Sequence, residues 1–248
     1  MTARTAFLPL ACLGSALLIL TATLASAGAP RLYLSWHAPY GAARASDTLS
    51  VTAGTEGGQD TLYLTFETGT HSEQFVGIEG TLYFRAPVGD TLGPHWRAGD
   101  ENIQAQFTTD SVPGCTRPWR GAQALSFNFY DYTSGSGRLR LSHVRPRTRP
   151  VTVRDSVPYL YARLLLARPP AGLPRSDQPM CIEWATAEFL MDTTGGPEPP
   201  VAAGRGGHPL VSLNSRGGAV CSASMPEPPA KPKRPEVRRP KAKTGSRK

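Results

Sequence analysis

The sequence is poor in the residues that mark several large classes of protein. Charged residues are only 19% of the 248-residue chain, which excludes a coiled coil or a highly charged helical protein. Gly (25 residues) and Pro (24 residues) are too frequent for a helical bundle, and they lack the period of collagen. Apolar residues still make up 40% of the chain, which is enough for a hydrophobic core and argues against global disorder.

The histidines, acids and serines form no motif of a known catalytic or metal-binding site. The five histidines are scattered singly, and the chain contains no His-Glu-x-x-His, no EF-hand loop and no Gly-x-Ser-x-Gly. The sequence therefore predicts no catalytic residue, no metal and no cofactor.

A secreted hydrolase acting on glycans or esters is the alternative, because glycoside hydrolysis uses two carboxylates held at a fixed separation. The candidate acids are Asp100, Glu101, Glu183 and Glu188. Glu183 and Glu188 lie five positions apart on one predicted strand, so we expect them on opposite faces. Carboxyl groups close together in a cleft would favour this alternative.

Residues 1–27 have the pattern of a signal peptide. A single Arg4 precedes an uncharged apolar run that ends in Ala25-Ser26-Ala27, the small residues typical of a cleavage site. We predict cleavage after Ala27 and a secreted, periplasmic or envelope location. A retained membrane anchor is the alternative, because the apolar run over residues 6–24 approaches the length that spans a bilayer.

The positive charge of the chain is concentrated in residues 226–248. That segment holds nine Lys and Arg against Glu227 and Glu236, whereas residues 28–225 hold equal numbers of Arg and acids. It is rich in proline and poor in apolar side chains, so we predict a disordered tail. The composition favours a solubilising spacer without a specific partner, and the alternative is a tail that binds an anionic membrane or envelope polymer. A neutral body argues against a nucleic-acid partner.

Residues 28–225 alternate apolar and polar side chains in short runs separated by Gly and Pro turns. This pattern is typical of half-buried antiparallel strands, and it predicts an all-β sandwich with long loops. Residues 160–166 also fit a helix, but prolines on both sides favour a strand. The principal predicted strands are residues 32–36, 61–66, 77–85, 103–108, 125–130, 138–144, 157–167 and 181–191.

Several tyrosines occupy the alternate strand positions whose side chains point away from the apolar face. Flat aromatic rings on one sheet face can stack against sugar rings, and cross-strand pairing of surface tyrosines is the structural alternative. Trp119, in a polar loop, is a second candidate contact or a loop anchor. The candidate ligand-binding residues are therefore Tyr63, Tyr83, Tyr130, Tyr159, Tyr161 and Trp119.

Three cysteines follow the predicted signal peptide: Cys115, Cys181 and Cys221. An oxidising compartment favours one disulfide and one free thiol. Cys181–Cys221 is the preferred pair, because both residues flank late predicted strands, but the other two pairings stay open. No histidine lies at ligand spacing from a cysteine, which argues against zinc.

Several segments together resemble known exported proteins. Residues 75–84 (FVGIEGTLYF) resemble the early strands of cohesin-like domains in the carbohydrate-binding-module superfamily. The wider set resembles secreted bacterial β-sandwich proteins without an assigned activity. That set comprises Leu34-Ser35-Trp36, residues 75–77, residues 114–121 (GCTRPWRG), residues 179–182 (PMCI) and a final Cys221.

The resemblance implies a cohesin-like or jelly-roll-like sandwich and export, and it carries over no catalytic residue. From it and from the missing motifs we expect an exported, non-catalytic protein that binds a glycan or a protein at the cell surface or serves in the envelope. A carbohydrate-binding module is a further alternative.

Overall fold

The computed structural model describes residues 29–51, 58–97, 99–107, 112–119, 124–133, 135–192, 201–202 and 207–214. The predicted signal peptide, the basic tail and Cys221 lie outside these residues, so the boundaries 1–27, 28–225 and 226–248 stay predictions. Among the described residues, no helix has both the length and the apolar character needed to cross a membrane.

The described residues form strands joined by loops and two single-turn helices. In chain order the elements are β1 (Arg31–Trp36), β2 (Thr48–Leu49), β3 (Gln59–Glu67), β4 (Ser72–Arg85), α1 (Pro94–Arg97), α2 (Gly99–Asn102), β5 (Ile103–Gln106), β6 (Leu125–Tyr132), β7 (Ser136–Val144), β8 (Val151–Val153), β9 (Tyr159–Ala167), β10 (Met180–Met191), β11 (Val201–Ala202), β12 (Gly207–His208) and β13 (Leu210–Leu213).

Two sheets make up the sandwich. Sheet A has the strand order β12-β1-β3-β9-β5, and sheet B has the order β2-β13-β10-β4-β7-β6, with β11 on β10 and β8 on β4. Most neighbours are antiparallel, while β12 pairs with β1 and β13 pairs with β2 in parallel. The predicted all-β sandwich is confirmed.

The core lies between the sheets because each long strand places alternate apolar side chains inward. Leu62, Leu64 and Phe66 of β3 are fully buried. Ile78, Leu82 and Phe84 of β4, and Trp184 and Phe189 of β10, meet them from the other sheet. Burial of this kind, at about 25 cal/mol per Å² of apolar surface, is the main force that holds the sheets together.

Gly80 on β4 allows two large aromatic side chains to fill the centre of this core. A Cβ at this position would lie 2.9 Å from Nε1 of Trp184 and 3.5 Å from Cε1 of Tyr161. The two rings stack on each other with centroids 5.5 Å apart. A glycine is therefore required here by close approach.

Candidate functional site

The five candidate tyrosines do not lie together on one face of a sheet, so they do not form the predicted aromatic platform. Tyr159 and Tyr161 are buried, with 3% and 1% of their surface exposed. The register of β3 and β9 shifts between Leu64 and Thr65, and the extra residue on β9 turns Tyr161 into the core. The hydroxyl of Tyr161 donates to the carbonyl of Ile78 at 3.3 Å.

The other candidates are also separated from one another. The Tyr130 hydroxyl donates to the carbonyl of Trp96 at 2.6 Å. Trp119, 3% exposed, donates from Nε1 to the carbonyl of Leu160 at 3.2 Å and so holds its loop on the core. Tyr63 lies on sheet A and Tyr83 on sheet B. Of the six residues, Tyr83 stays a proposed ligand contact on the surface described next.

The outer face of sheet B carries a continuous set of polar and aromatic side chains. Along β10, β4 and β7 these side chains alternate with buried ones, so that they project away from the core. The register of β6 on β7 places Leu125, Phe127, Phe129 and Asp131 on the same face. We call this surface the outer face of sheet B; it comprises Glu79, Thr81, Tyr83, Arg85, Leu125, Phe127, Phe129, Asp131, Arg138, Arg140, Ser142, Glu183, Thr186 and Glu188.

Two ion pairs order one end of the outer face. Nη2 of Arg85 donates to Glu183 at 3.0 Å, and the same guanidinium lies 4.7 Å from the centre of the Tyr83 ring. On the other side of Tyr83, Nε of Arg138 donates to Asp131 at 2.9 Å. The hydrogen bond to Asp131 raises the pKa of Arg138. These contacts fix the side chains and neutralise their charges.

A shallow concavity lies at the other end of the outer face. Glu79 and Glu188 are directly opposite on β4 and β10, and with Phe127 and Arg140 they line a cavity of about 250 Å³. Ser142 donates to Glu79 at 3.3 Å. Two carboxylates facing each other repel, so this end of the face favours a ligand that carries a cationic or hydrogen-bond-donating group.

The strand β6 exposes an apolar edge beside the concavity. It pairs with β7 and with no other strand in the described part of the chain. Leu125 is 75% exposed, Phe127 58% and Phe129 56%. The strand has no Lys, no Pro and no bulge, the features by which natural edges avoid pairing with other chains.

The structure also contains a serine–histidine contact, which bears on the expectation of a non-catalytic protein. Ser126 Oγ lies 2.5 Å from Nδ1 of His143. Nε2 of His143 is buried and has no hydrogen-bond partner, so no acid orients the ring as in a catalytic triad. Burial, aided by the charge of Arg145, lowers the pKa of His143 to about 4. A base this weak does not activate a serine hydroxyl near neutral pH.

The candidate acids Glu183 and Glu188 both lie on the outer face of sheet B, so the expectation of opposite faces is wrong. The register of β10 and β4 shifts between Trp184 and Thr186, and the extra residue on β10 turns Glu188 to the face of Glu183. Glu183 is paired with Arg85, and the side chain of Asp100 lies outside the described residues.

Within the described ranges, no three His, Cys, Asp or Glu side chains are grouped so that they could hold a metal ion. Cys115 is a free thiol, and burial raises its pKa to about 11, which disfavours the nucleophilic thiolate.

Comparison with known proteins yields similarities of fold. No family model matches the chain, and no curated protein matches it. A type II cohesin domain from the cellulosome of Acetivibrio cellulolyticus is similar over 75% of this chain and 95% of its own, with a TM-score of 0.39 and 9% identity.

Two further solved structures are similar at the same level. The second type II cohesin module of an adaptor scaffoldin from that organism has a TM-score of 0.39 and 8% identity, over 76% of this chain and 98% of its own. A type I cohesin in a cohesin–dockerin complex from Clostridium thermocellum has a TM-score of 0.34 and 10% identity, over 75% and 94%. No family is assigned, and the architecture rests on the two sheets described above.

Proposed function

We propose that this protein is a non-catalytic binding module that receives an extended segment of a protein partner along β6. The single observation that carries the proposal is the exposed edge of β6, with Leu125, Phe127 and Phe129 uncovered. An extended segment added to such an edge gains main-chain hydrogen bonds, and the alternate side chains supply specificity.

The chemistry of the surrounding surface defines which partner fits. Phe127 and Phe129 each leave more than half of a large ring exposed, and rings of this kind dominate the energetics of interfaces. Glu79 and Glu188 lie beside Phe127 in the concavity. The proposed partner segment therefore has apolar side chains at alternate positions and a cationic residue that reaches the two carboxylates.

Photo-cross-linking in the cells that make the protein tests this proposal. A cross-linking amino acid replaces Phe129 in one variant and Val88 in the control, because Val88 is 81% exposed but lies in the loop between β4 and α1. We expect a discrete partner protein cross-linked from position 129 and absent from position 88. Phe127→Ser in the same chain should reduce the yield by about tenfold or more.

Two results would contradict the proposal. One is an equal set of cross-linked products from both positions, which would mark non-specific contact. The other is a cross-linked product that contains only a second copy of this chain, which would show that the edge of β6 mediates self-association and not binding of a different protein.

A hydrolase acting on glycans is a second candidate function, and the facing pair Glu79 and Glu188 favours it. Retaining glycosidases hold two carboxyl groups about 5 Å apart. The Cβ atoms of side chains directly opposite on antiparallel strands are about 5 Å apart, which keeps the two carboxyl groups within reach of one sugar ring. Release of reducing sugar from polysaccharides, lost in Glu79→Gln and Glu188→Gln, would support a hydrolase. Glycan-array binding lost in Tyr83→Ala, without any release of sugar, would instead support a carbohydrate-binding module.

A further inference from the structure

Arg145 is a buried cation at the end of the sandwich. It follows β7, and its backbone N–H donates to the carbonyl of Val76 at 2.7 Å, which continues the pairing with β4. The side chain lies beneath the loop that carries Pro118 and Trp119, and only 9% of the residue is exposed. Nη1 donates to the carbonyl of Pro118 at 3.4 Å.

This guanidinium has too few partners for its burial. Its Nε is buried without a hydrogen-bond acceptor, and no ion pair between described residues includes it. A guanidinium stays charged in proteins, so burial without a counter-charge destabilises the folded protein. The long bond to a neutral carbonyl does not replace an anion.

The charged neighbours of Arg145 increase this cost. Burial, together with the charge of nearby Arg149, lowers the pKa of Arg145. His143 is the other titratable group nearby, and it is neutral near pH 7. Arg147 and Arg149 are exposed on the loop that follows Arg145. Positive charge is thus concentrated in this part of the surface, although the net charge of residues 28–225 as a whole is zero.

We infer that Arg145 is the centre of a binding site for an oxyanion, a phosphate, sulfate or carboxylate group, with Arg147 and Arg149 at its rim. Because Nε is buried, the guanidinium must turn outward on binding, so that Nε and a terminal nitrogen meet one oxyanion in a bidentate arrangement. Pro118 and Trp119 cover the other side and exclude water, which strengthens the contact. The exposed remainder of Arg145 is where the anion enters from solvent.

Thermal melts and calorimetric titration with inorganic phosphate, at constant ionic strength, test the site. We expect the wild-type melting temperature to rise with phosphate. Arg145→Met should bind phosphate about tenfold more weakly or not at all. Arg44→Gln is the matched control, since Arg44 is exposed in the loop between β1 and β2, and it should bind as the wild type does.

The folding of the variant is itself informative. Without phosphate, Arg145→Met should be at least as stable as the wild type, because an unpaired buried charge has been removed. If the Met variant fails to fold, Arg145→Lys replaces it, because lysine keeps the charge but lacks the planar pair of N–H donors. This variant should fold and bind phosphate more weakly than the wild type.

Two outcomes would overturn the inference. One is an equal rise of the melting temperature with phosphate in the wild type and in Arg145→Met. The other is a wild type whose melting temperature does not change with phosphate, with acetate or with dextran sulfate.

A separate comparison identifies the source of the anion. If the natural ligand is a group on a polymer, the Arg147→Gln/Arg149→Gln variant should weaken dextran sulfate binding much more than phosphate binding. Equal, small effects on both would identify a free ion.

Discussion

Ser126 on the edge strand β6 is joined to His143 on β7 by a hydrogen bond of 2.5 Å. The imidazole also stacks on Phe107, with ring centroids 4.8 Å apart, and meets the edge of Trp119 at 4.3 Å. One histidine of β7 thus connects β6 with two segments that precede it in the chain, around Phe107 and around Trp119. This ring adds side-chain contacts to the backbone pairing that holds the proposed binding edge on β7.

Stability should fall as the pH is lowered from about 6.5 to about 4. Burial lowers the pKa of His143 to about 4, so in this interval the unfolded chain takes up a proton that the folded protein does not. The contribution is fully present above pH 6.5 and is lost as the pH approaches 4; it amounts to about 3 kcal/mol. Urea unfolding at several pH values measures it.

His143→Phe should flatten part of this pH dependence. His95, whose pKa is also lowered by burial, accounts for a further part in the same direction. His71→Gln is the control, because His71 is exposed, and it should leave the profile unchanged. An equally steep profile in His143→Phe would contradict the assignment.

Arg168→Met should destabilise the fold far more than Arg31→Met. Arg168 donates to both carboxylate oxygens of Asp60, at 3.0 and 2.9 Å, and Asp60 is only 4% exposed. Removing the guanidinium leaves a buried carboxylate, which costs about 3 kcal/mol. Arg31 is exposed and lies 3.7 Å from Glu67, and an exposed ion pair of this kind contributes little to stability. Similar losses of unfolding free energy in the two variants would refute this ranking.

Gly80→Ala should cost about 1–3 kcal/mol of stability, because the added methyl group is too close to the Trp184 indole and strains the packed core. Gly135→Ala is the matched control, since the nearest atom to its new Cβ is the Asp90 carbonyl oxygen at 3.5 Å. Denaturant unfolding of the two variants makes the comparison. No loss in Gly80→Ala would show that the core can rearrange around the contact.

A disulfide between Cys181 and Cys221 is proposed, and thiol counting tests it. Protein made in an oxidising compartment should contain one free thiol, at Cys115, and peptide mapping without reduction should join Cys181 to Cys221. Alkylation of Cys115 should be slow in the folded protein, because burial raises its pKa to about 11. Loss of the bridge in Cys181→Ser should cost about 3 kcal/mol. Two or three reactive thiols after denaturation would contradict the pairing.

Deleting residues 226–248 should leave the melting temperature nearly unchanged, because this segment has too little apolar surface to contribute to a core. The same deletion should abolish salt-sensitive co-sedimentation with vesicles that contain phosphatidylserine. A variant with the nine basic residues changed to Gln serves as a control for charge. A large drop in melting temperature would show that the proposed domain boundary is wrong.

Most strands were predictable because alternation is a local property. Residues 61–66 and 77–85 lie within β3 and β4, and residues 157–167 contain β9, where flanking prolines correctly favoured a strand over a helix. The helices α1 and α2 were missed because four residues are too few to show a helical period.

The site was less predictable because it depends on relations between strands. Tyr161 was expected on the surface, but a register shift opposite Thr65 turns it inward, and no feature near Tyr161 in the sequence reveals that shift. The alternation of Leu125, Phe127 and Phe129 predicted a strand with an apolar face. Which strand is left at the edge of a sheet is decided by the order of all the strands, and residues close in sequence do not encode it.

The last described strands complete both sheets at once. Gly207 pairs with Leu32 in sheet A, and the carbonyl of Ser212 in sheet B accepts from Nε1 of Trp36, 176 residues away in sequence. Of the described strands, β1 leaves the ribosome first, and its contacts are complete only after β12 and β13 have been made. Such long-range closure slows folding and prolongs the life of the open chain, which is the form most exposed to aggregation.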